Sequence, residues 1–362
     1  MNRRKMKKSF VWLMLGCLVL LLSGCGSKPV LKVFMPNEYI LESLVEDFER
    51  EFNVNVELIT FDSNEVAMPQ VEANQYDIVI PSDYAIEELA AKDLLQPIDW
   101  NRLTAITQDA LDEELMLFLE GLKNGENGYD FLDVTVPYFW GNVGILFDTT
   151  KVQRTELEAN GWDSLLRPNL EVMFYNSSRD MVMVALKATS ENVDINRPTR
   201  EQLQAAEDWL IRGAQNENTT FASDEVLDDM LVAGSTKYAM AVTYSGDAVY
   251  LMSMNPDLDY YVPERGTNVW MDGFVIPKNA EQVDLAYDFI NFMTTAENMY
   301  ANSEEIGYTA PRSDVSQKII DNEVYPAAAY SIQVGATDSI FRYEPELKIL
   351  IEELWTRVRA SN

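Results

Sequence analysis

Residues 76–84, Tyr-Asp-Ile-Val-Ile-Pro-Ser-Asp-Tyr, decide the fold class. Ile78-Val79-Ile80 is a short apolar run without alternation, the pattern of a strand buried on both faces. The strand is expected over Tyr76 to Pro81, Ser82-Asp83-Tyr84 forms a polar loop, and Ala85 to Lys92 reads as a helix. A buried strand that passes through a short loop into a helix is half of a parallel strand–helix–strand unit.

The unit recurs on both sides. Upstream, Val30 to Phe34 is a short strand. Glu38 to Phe52 is an amphipathic helix with Leu41, Leu44, Val45, Phe48 and Phe52 on one face, and Val54 to Thr60 alternates as a strand. Asp62-Ser63-Asn64-Glu65 has the residue types of a capped helix start. Downstream, strands are predicted over Gly144 to Phe147, Val172 to Tyr175, Lys237 to Thr243 and near Leu258 to Val262. Helices are predicted over Arg179 to Ala188, Arg200 to Gly213, Asp224 to Val232, Gln282 to Tyr300 and Pro345 to Arg359. The alternation predicts an α/β fold with a largely parallel sheet. No low-complexity linker and no internal repeat divides the chain. Two lobes joined by chain crossings fit better than two separate domains in series.

The N-terminus is of another kind. MNRRKMKKSF is basic, Phe10 to Leu22 is apolar, and Leu22-Ser23-Gly24-Cys25 follows. This apolar run falls short of the roughly 20 residues of a spanning helix and reads as a secretory signal. The ending resembles a bacterial lipobox, which predicts cleavage after residue 24, a diacylglyceryl chain on Cys25 and a tether over 25–29. Cleavage also removes Cys17, so no disulfide framework is possible in the mature chain.

Composition excludes several functions. The chain has no histidine, so neither a Ser-His-Asp or Cys-His site nor a histidine-ligated metal site can be built. Neither metal nor cofactor is expected, and there is no glycine-rich phosphate loop. Basic residues number 28 and acidic ones 59. Losing the five basic residues of the signal leaves 23 against 59, a net charge of −36. Such a field repels nucleic acid and draws cations. Apolar residues at 47% mark the chain as globular rather than a disordered acidic tail.

In open α/β sheets, ligands bind beyond the carboxyl ends of strands. After the first strand come Asn37, Glu38 and Tyr39, and after the third Ser82, Asp83 and Tyr84. Ser177 and Asp180 follow Val172 to Tyr175, while Tyr244 and Asp247 follow Thr243. Trp270 and Asp272 precede Phe274. An acid with an aromatic thus recurs at strand ends. Carboxylates hold ammonium groups strongly away from water, and aromatic faces attract cations while covering methylenes. Singly, most of these residues have an ordinary structural use, such as helix capping by Ser82 or Asp83. Asp272 is the exception, because a carboxylate at the mouth of a buried strand is costly without a partner.

These residues resemble a known family, the spermidine/putrescine-binding receptors of bacterial polyamine ABC importers. The matching segments are YDIVIPSDY (76–84), VPYFWGNVGILFD (136–148), SRDMVMVAL (178–186), VTYSGDA (242–248), VWMDGFVIP (269–277), AYDFINFM (286–293) and IGYTAP (306–311). They run in the family's order over nearly all of the mature chain. The resemblance implies a two-lobed periplasmic-binding-protein-like fold of type II, with a ligand cleft between the lobes and no catalysis. It implies a first lobe of 30–138 plus about 271–313 and a second of 139–270 plus about 314–362. By position, Ser82 and Tyr84 would line the cleft, Asp180 would hold one ammonium, Trp270 would stack on methylenes, and Asp272 would bind an amine. Tyr244 stands where the family often has tryptophan, and Asp247 matches an acid of putrescine-type members.

The chain also departs from the pattern. Met35-Pro36 stands where Asn-Trp is usual, Asn37 where Thr or Ser is frequent, and Ser177 where an acid is common. The glutamine that some members carry near the C-terminus has no clear match around Phe341-Arg342. A diamine, a modified polyamine or another small organic cation all fit these departures.

The expectation is a monomeric lipoprotein outside the cytoplasmic membrane that closes on a polyamine, putrescine or spermidine, and docks on an ABC permease. The alternatives are a same-fold receptor for another solute, a purely structural surface protein and, more remotely, a carboxylate-based glycosidase.

Overall fold

A strand shared between two sheets holds the molecule together. The computed structural model describes residues 28–125, 128–223 and 225–361; the expected signal peptide and Cys25 lie outside them. The strands are β1 (Val30–Pro36), β2 (Asn55–Phe61), β3 (Ile78–Val79), β4 (Val136–Asp148), β5 (Val172–Tyr175), β6 (Thr219–Ala222), β7 (Met240–Tyr244), β8 (Leu258–Tyr261) and β9 (Val269–Phe274). The first sheet has the order β2-β1-β3 and is parallel. The second has the order β6-β5-β7-β4-β8. In it β5 is parallel to β6 and β7, whereas β4 is antiparallel to β7 and β8. The second sheet is therefore mixed, not largely parallel.

β4 belongs to both halves. Residues 143–148 pair within the second sheet, and residues 136–142 pair with β9. Beyond β9, Val275 pairs with Val79 of β3, which connects the ribbon to the first sheet. The β4–β9 register shifts between Pro137 and Phe139. Proline has no N–H to give a ladder, so a bulge is where a strand tolerates it. A third crossing follows at Ser339, which bridges Asn268 just before β9. Lys187 fastens this crossing: its buried ammonium donates to the Thr337 carbonyl at 2.5 Å and to Ser339 Oγ at 3.0 Å.

One apolar core gathers residues 31–140 with 269–315, Ile332 and Ile340, and includes Phe34, Phe48 and Phe289. Two more lie on the faces of the second sheet. Val143, Ile145 and Phe147 of β4 enter one, Leu146 the other, as the two-residue period of a strand requires. Each large apolar side chain so buried is worth about 1.5–3 kcal/mol.

Local differences from the sequence expectations have identifiable causes. The first helix is Glu42–Phe52, not Glu38–Phe52, because Glu38 has φ of 51° and forms a left-handed turn. Its buried residues are Leu44, Val45 and Phe48. The run from 282 to 300 splits into Val283–Met293 and Ala296–Ile306, since Thr295 caps the second helix by accepting from the Asn298 amide. The expected strand 76–81 is regular only at Ile78–Val79. Helices Glu113–Asn124 and Ser313–Asp321 and strand β6 lack an expectation from sequence.

Candidate functional site

The β4–β9 ribbon carries the first two functional side chains. Trp270 and Asp272 are two residues apart on β9 and so project from the same face. Asp272 stands inside the strand rather than at its mouth, bridged to Ser82 on the neighbouring segment. Its Oδ2 accepts from the Tyr39 hydroxyl at 2.7 Å, and its Oδ1, buried, has no hydrogen-bond partner. Burial pushes the Asp272 carboxyl up to about 6, against the pull of the hydroxyls around it. A second carboxylate comes from the other half. Asp180 lies in the first turn of helix Ser178–Thr189, where the positive end of the helix favours an acid. Its Oδ2 accepts from Tyr244 at 2.9 Å, and its Oδ1 is again buried and unpartnered. Burial raises its pKa too.

An aromatic row joins the two acids. Tyr39 meets Tyr308 edge-on at 5.6 Å between ring centroids. Tyr308 meets Trp270 at 5.2 Å, Trp270 meets Tyr244 at 5.9 Å, and Tyr244 meets Tyr175 at 5.1 Å, all near-perpendicular. Edge-on packing leaves ring faces for other contacts. The Tyr308 hydroxyl donates to Asp247 Oδ1 at 3.3 Å. Three carboxylates thus each receive a tyrosine hydroxyl, and the rings between them form an apolar floor. The floor needs close backbone approach. A Cβ on Gly246 would lie 2.0 Å from the Tyr308 ring, and one on Gly141 would lie 2.8 Å from Trp270.

Other expected residues have different surroundings. Asp83 is fully buried, with Oδ1 accepting the Tyr84 amide and Oδ2 the Met271 amide at 3.1 Å. It ties helix Asp83–Ala91 to β9. Ser82 accepts from Asn64 at 2.9 Å. Ser177 caps its helix by accepting the Asp180 amide. Asn37 and Glu38 are exposed, and the Asn37 amide donates to Asp62. Tyr84 sits across the interface of the halves, its hydroxyl on Glu65 at 3.1 Å and its face under the Arg179 guanidinium at 4.0 Å.

Sequence reasoning missed Tyr308, Tyr175, Arg179 and Glu65 as members of this group. Tyr308 lies within the motif IGYTAP, where its position was a usable signal. Glu65 gave none, because a helix-start acid is ordinarily a dipole contact.

The model of the bacterial extracellular solute-binding proteins matches residues 43–329. The chain belongs to this family. Among solved structures, this solute-binding protein is similar to a putative spermidine/putrescine ABC transporter from Listeria monocytogenes, with TM-score 0.77 and 28% identity over 92% of this chain and 99% of the other. Its relatives include the putrescine-binding periplasmic protein SpuD of Pseudomonas aeruginosa, 26% identical over 90% of this chain and 91% of that protein. They also include the spermidine/putrescine-binding periplasmic protein of Escherichia coli, 25% identical over 86% and 89%. The fold is that of a two-lobed periplasmic binding protein. Trp270 and Asp272 sit on a strand that pairs with β4 and leads through Val275 to β3. Tyr39 and Tyr84 come from the β1–β3 side, Asp180 and Tyr244 from the other. Membership places the protein outside the cytoplasm, and among the described residues no helix is long and apolar enough to cross a membrane.

Proposed function

We propose that this solute-binding protein is the receptor of a polyamine ABC importer, taking putrescine or spermidine between its lobes and handing it to a membrane permease. The observation that carries this reading is the pair of buried carboxylate oxygens, Asp180 Oδ1 and Asp272 Oδ1, that lack partners along an aromatic row, one beside Tyr244 and one beside Tyr39. An uncompensated buried carboxylate costs several kcal/mol, and an ammonium supplies both the charge and the donors. The rings between suit methylenes and add cation–π attraction of about 0.5–2 kcal/mol. The names of the relatives from Pseudomonas and Escherichia agree with a polyamine.

Asp83 and Ser177 act at one remove in this scheme. Asp83 fixes β9, and Ser177 fixes the start of the helix that bears Asp180. Catalysis has no part in it: the protein binds, closes and releases. Cys25 carries the lipid that keeps the receptor, as a monomer, beside its permease, a single anchor giving attachment rather than spanning.

Native mass spectrometry of protein purified from cells identifies the passenger by mass, and isothermal titration with putrescine and spermidine follows. Saturable binding of either amine is expected. A different bound cation would make the protein a same-fold receptor for that solute, and no heat with any amine would overturn the reading.

A further inference from the structure

The extra residue in β4 has a use. The ladder passes from Pro137 opposite Gly273 to Phe139 opposite Asp272, so Tyr138 stands between two pairs with none of its own. A bulge re-aims the side chain it carries. The Tyr138 ring lies 5.5 Å from that of Tyr39 between centroids, and its hydroxyl donates to the Tyr39 carbonyl at 2.7 Å. The same hydroxyl accepts from Asn302 Nδ2 at 2.7 Å, and Asn302 Oδ1 accepts the Leu41 amide at 2.8 Å. Tyr39, Tyr138 and Asn302 are all buried. The direction of each bond is forced. A backbone N–H can only donate, so the carboxamide turns its oxygen to Leu41 and its nitrogen to Tyr138, which keeps its one proton for Tyr39.

The turn held in this way has a cost of its own. Glu38, just before Tyr39, has φ of 51°, a conformation that a residue with a Cβ keeps only when its surroundings impose it. Asn37 and Glu38 are exposed, so the turn is fixed from its buried side. What it presents is Tyr39, whose hydroxyl donates to Asp272 Oδ2 while Asp272 Oδ1 stays without a partner.

We propose that Tyr138 and Asn302 are positioning residues for amine binding: from β4 and from helix Ala296–Ile306 they fix the turn that carries Tyr39, so that its hydroxyl occupies one oxygen of Asp272 and leaves the other for the ligand's ammonium. This rests on the polyamine reading above. A carboxylate already oriented loses less freedom when the amine arrives. Without the Tyr39 donor, the ionised form of Asp272 also loses a hydrogen bond that favours it.

Isothermal titration with putrescine between pH 5 and 8 tests this. Tyr138→Phe keeps the ring against Tyr39, Phe139 and Phe274 and removes both bonds of the hydroxyl. It is expected to weaken binding at least fivefold at pH 7.5 and to move the midpoint of the pH profile upward. The titratable groups that face Asp272 are Tyr39, Tyr138, Tyr308 and Asp83. Burial holds the tyrosines above the usual phenol range, and Asp83 is the same in every variant, so a shift between profiles reports Asp272. A purely structural loss would weaken binding alike at every pH. In a Tyr39→Phe background the same substitution is expected to cost less than twofold more, because its route to the ligand is already cut. Unchanged affinity in Tyr138→Phe overturns the inference, as does a loss that persists in full without the Tyr39 hydroxyl. So does a Tyr39→Phe protein that binds like wild type, a result that needs no change at Tyr138. A wild type that binds neither putrescine nor spermidine overturns the polyamine reading itself.

Discussion

Replacing Asp272 with asparagine separates the charge of this residue from its shape. Asparagine keeps an oxygen for the Tyr39 hydroxyl, which now bonds Asp272 at 2.7 Å, and keeps the volume within β9. It removes the negative charge. Removing one partner of a buried hydrogen-bonded charge pair costs about 2–5 kcal/mol, roughly a 30- to 5,000-fold loss of affinity. The fold responds in the opposite direction. Burial holds the folded carboxyl at about 6, above its unfolded value near 4. Between those pH values the folded state binds more protons than the unfolded one, so stability falls as pH rises. Two units correspond to about 3 kcal/mol of penalty, complete above pH 6. Without ligand, Asp272→Asn is therefore expected to melt no lower than wild type at pH 7.5. It should also lose the part of the fall in stability between pH 4 and 6 that Asp272 causes. Titration calorimetry reads the affinity, and calorimetric melting without ligand reads the stability. Unchanged affinity, or a ligand-free melting point that drops sharply, would refute the assignment of Asp272 as a charge held in readiness.

The same pKa makes binding pH-dependent. A cation requires ionised Asp272, so affinity for putrescine should fall about tenfold between pH 7.5 and 5, with proton release detectable from the buffer dependence of the heat. Tyr39→Phe keeps the ring against Tyr308 but removes the donor to Asp272; it should weaken binding by about 0.5–3 kcal/mol, seen by titration, and an unaltered affinity would make that hydroxyl irrelevant. Gly246→Ala places a methyl into the Tyr308 ring and should lower both melting temperature and affinity, whereas Gly121→Ser, with open space around its Cβ, should leave affinity alone. Cys25→Ser should abolish labelling of the protein by a radioactive fatty acid, read by gel autoradiography; a wild type that takes up no label would exclude the lipid.

The sequence carried the elements whose signal is local. Val172–Tyr175 and Pro345–Arg359 match the structure residue for residue, because apolar runs and a proline start mark their limits. It also carried motifs whose members the structure brings near one another, Asp180 on Tyr244 and Tyr244 against Trp270, although Trp270 and Asp272 lie inside a strand and not at its end. What it did not carry depends on distant pairing. The split of β4 between two sheets follows from which strands find its two halves, and no residue within 136–148 announces it. Arg179 belongs with Glu65 and Tyr84 only once the halves meet. Asp83 and Asp272 are both buried acids near the same strand; only the tertiary structure separates the one satisfied by backbone amides from the one left with a bare oxygen.

The pairing of Val79 with Val275 has a consequence for how the chain is made. During export the segment bearing β3 emerges long before its last neighbour does. Until residue 275 arrives, that side of the three-stranded sheet offers bare amides and carbonyls to any passing polypeptide, an invitation to mispairing. The newly secreted molecule is thus most vulnerable in the interval between these two valines, and slow delivery of its final quarter would lower yield without any change in the finished receptor.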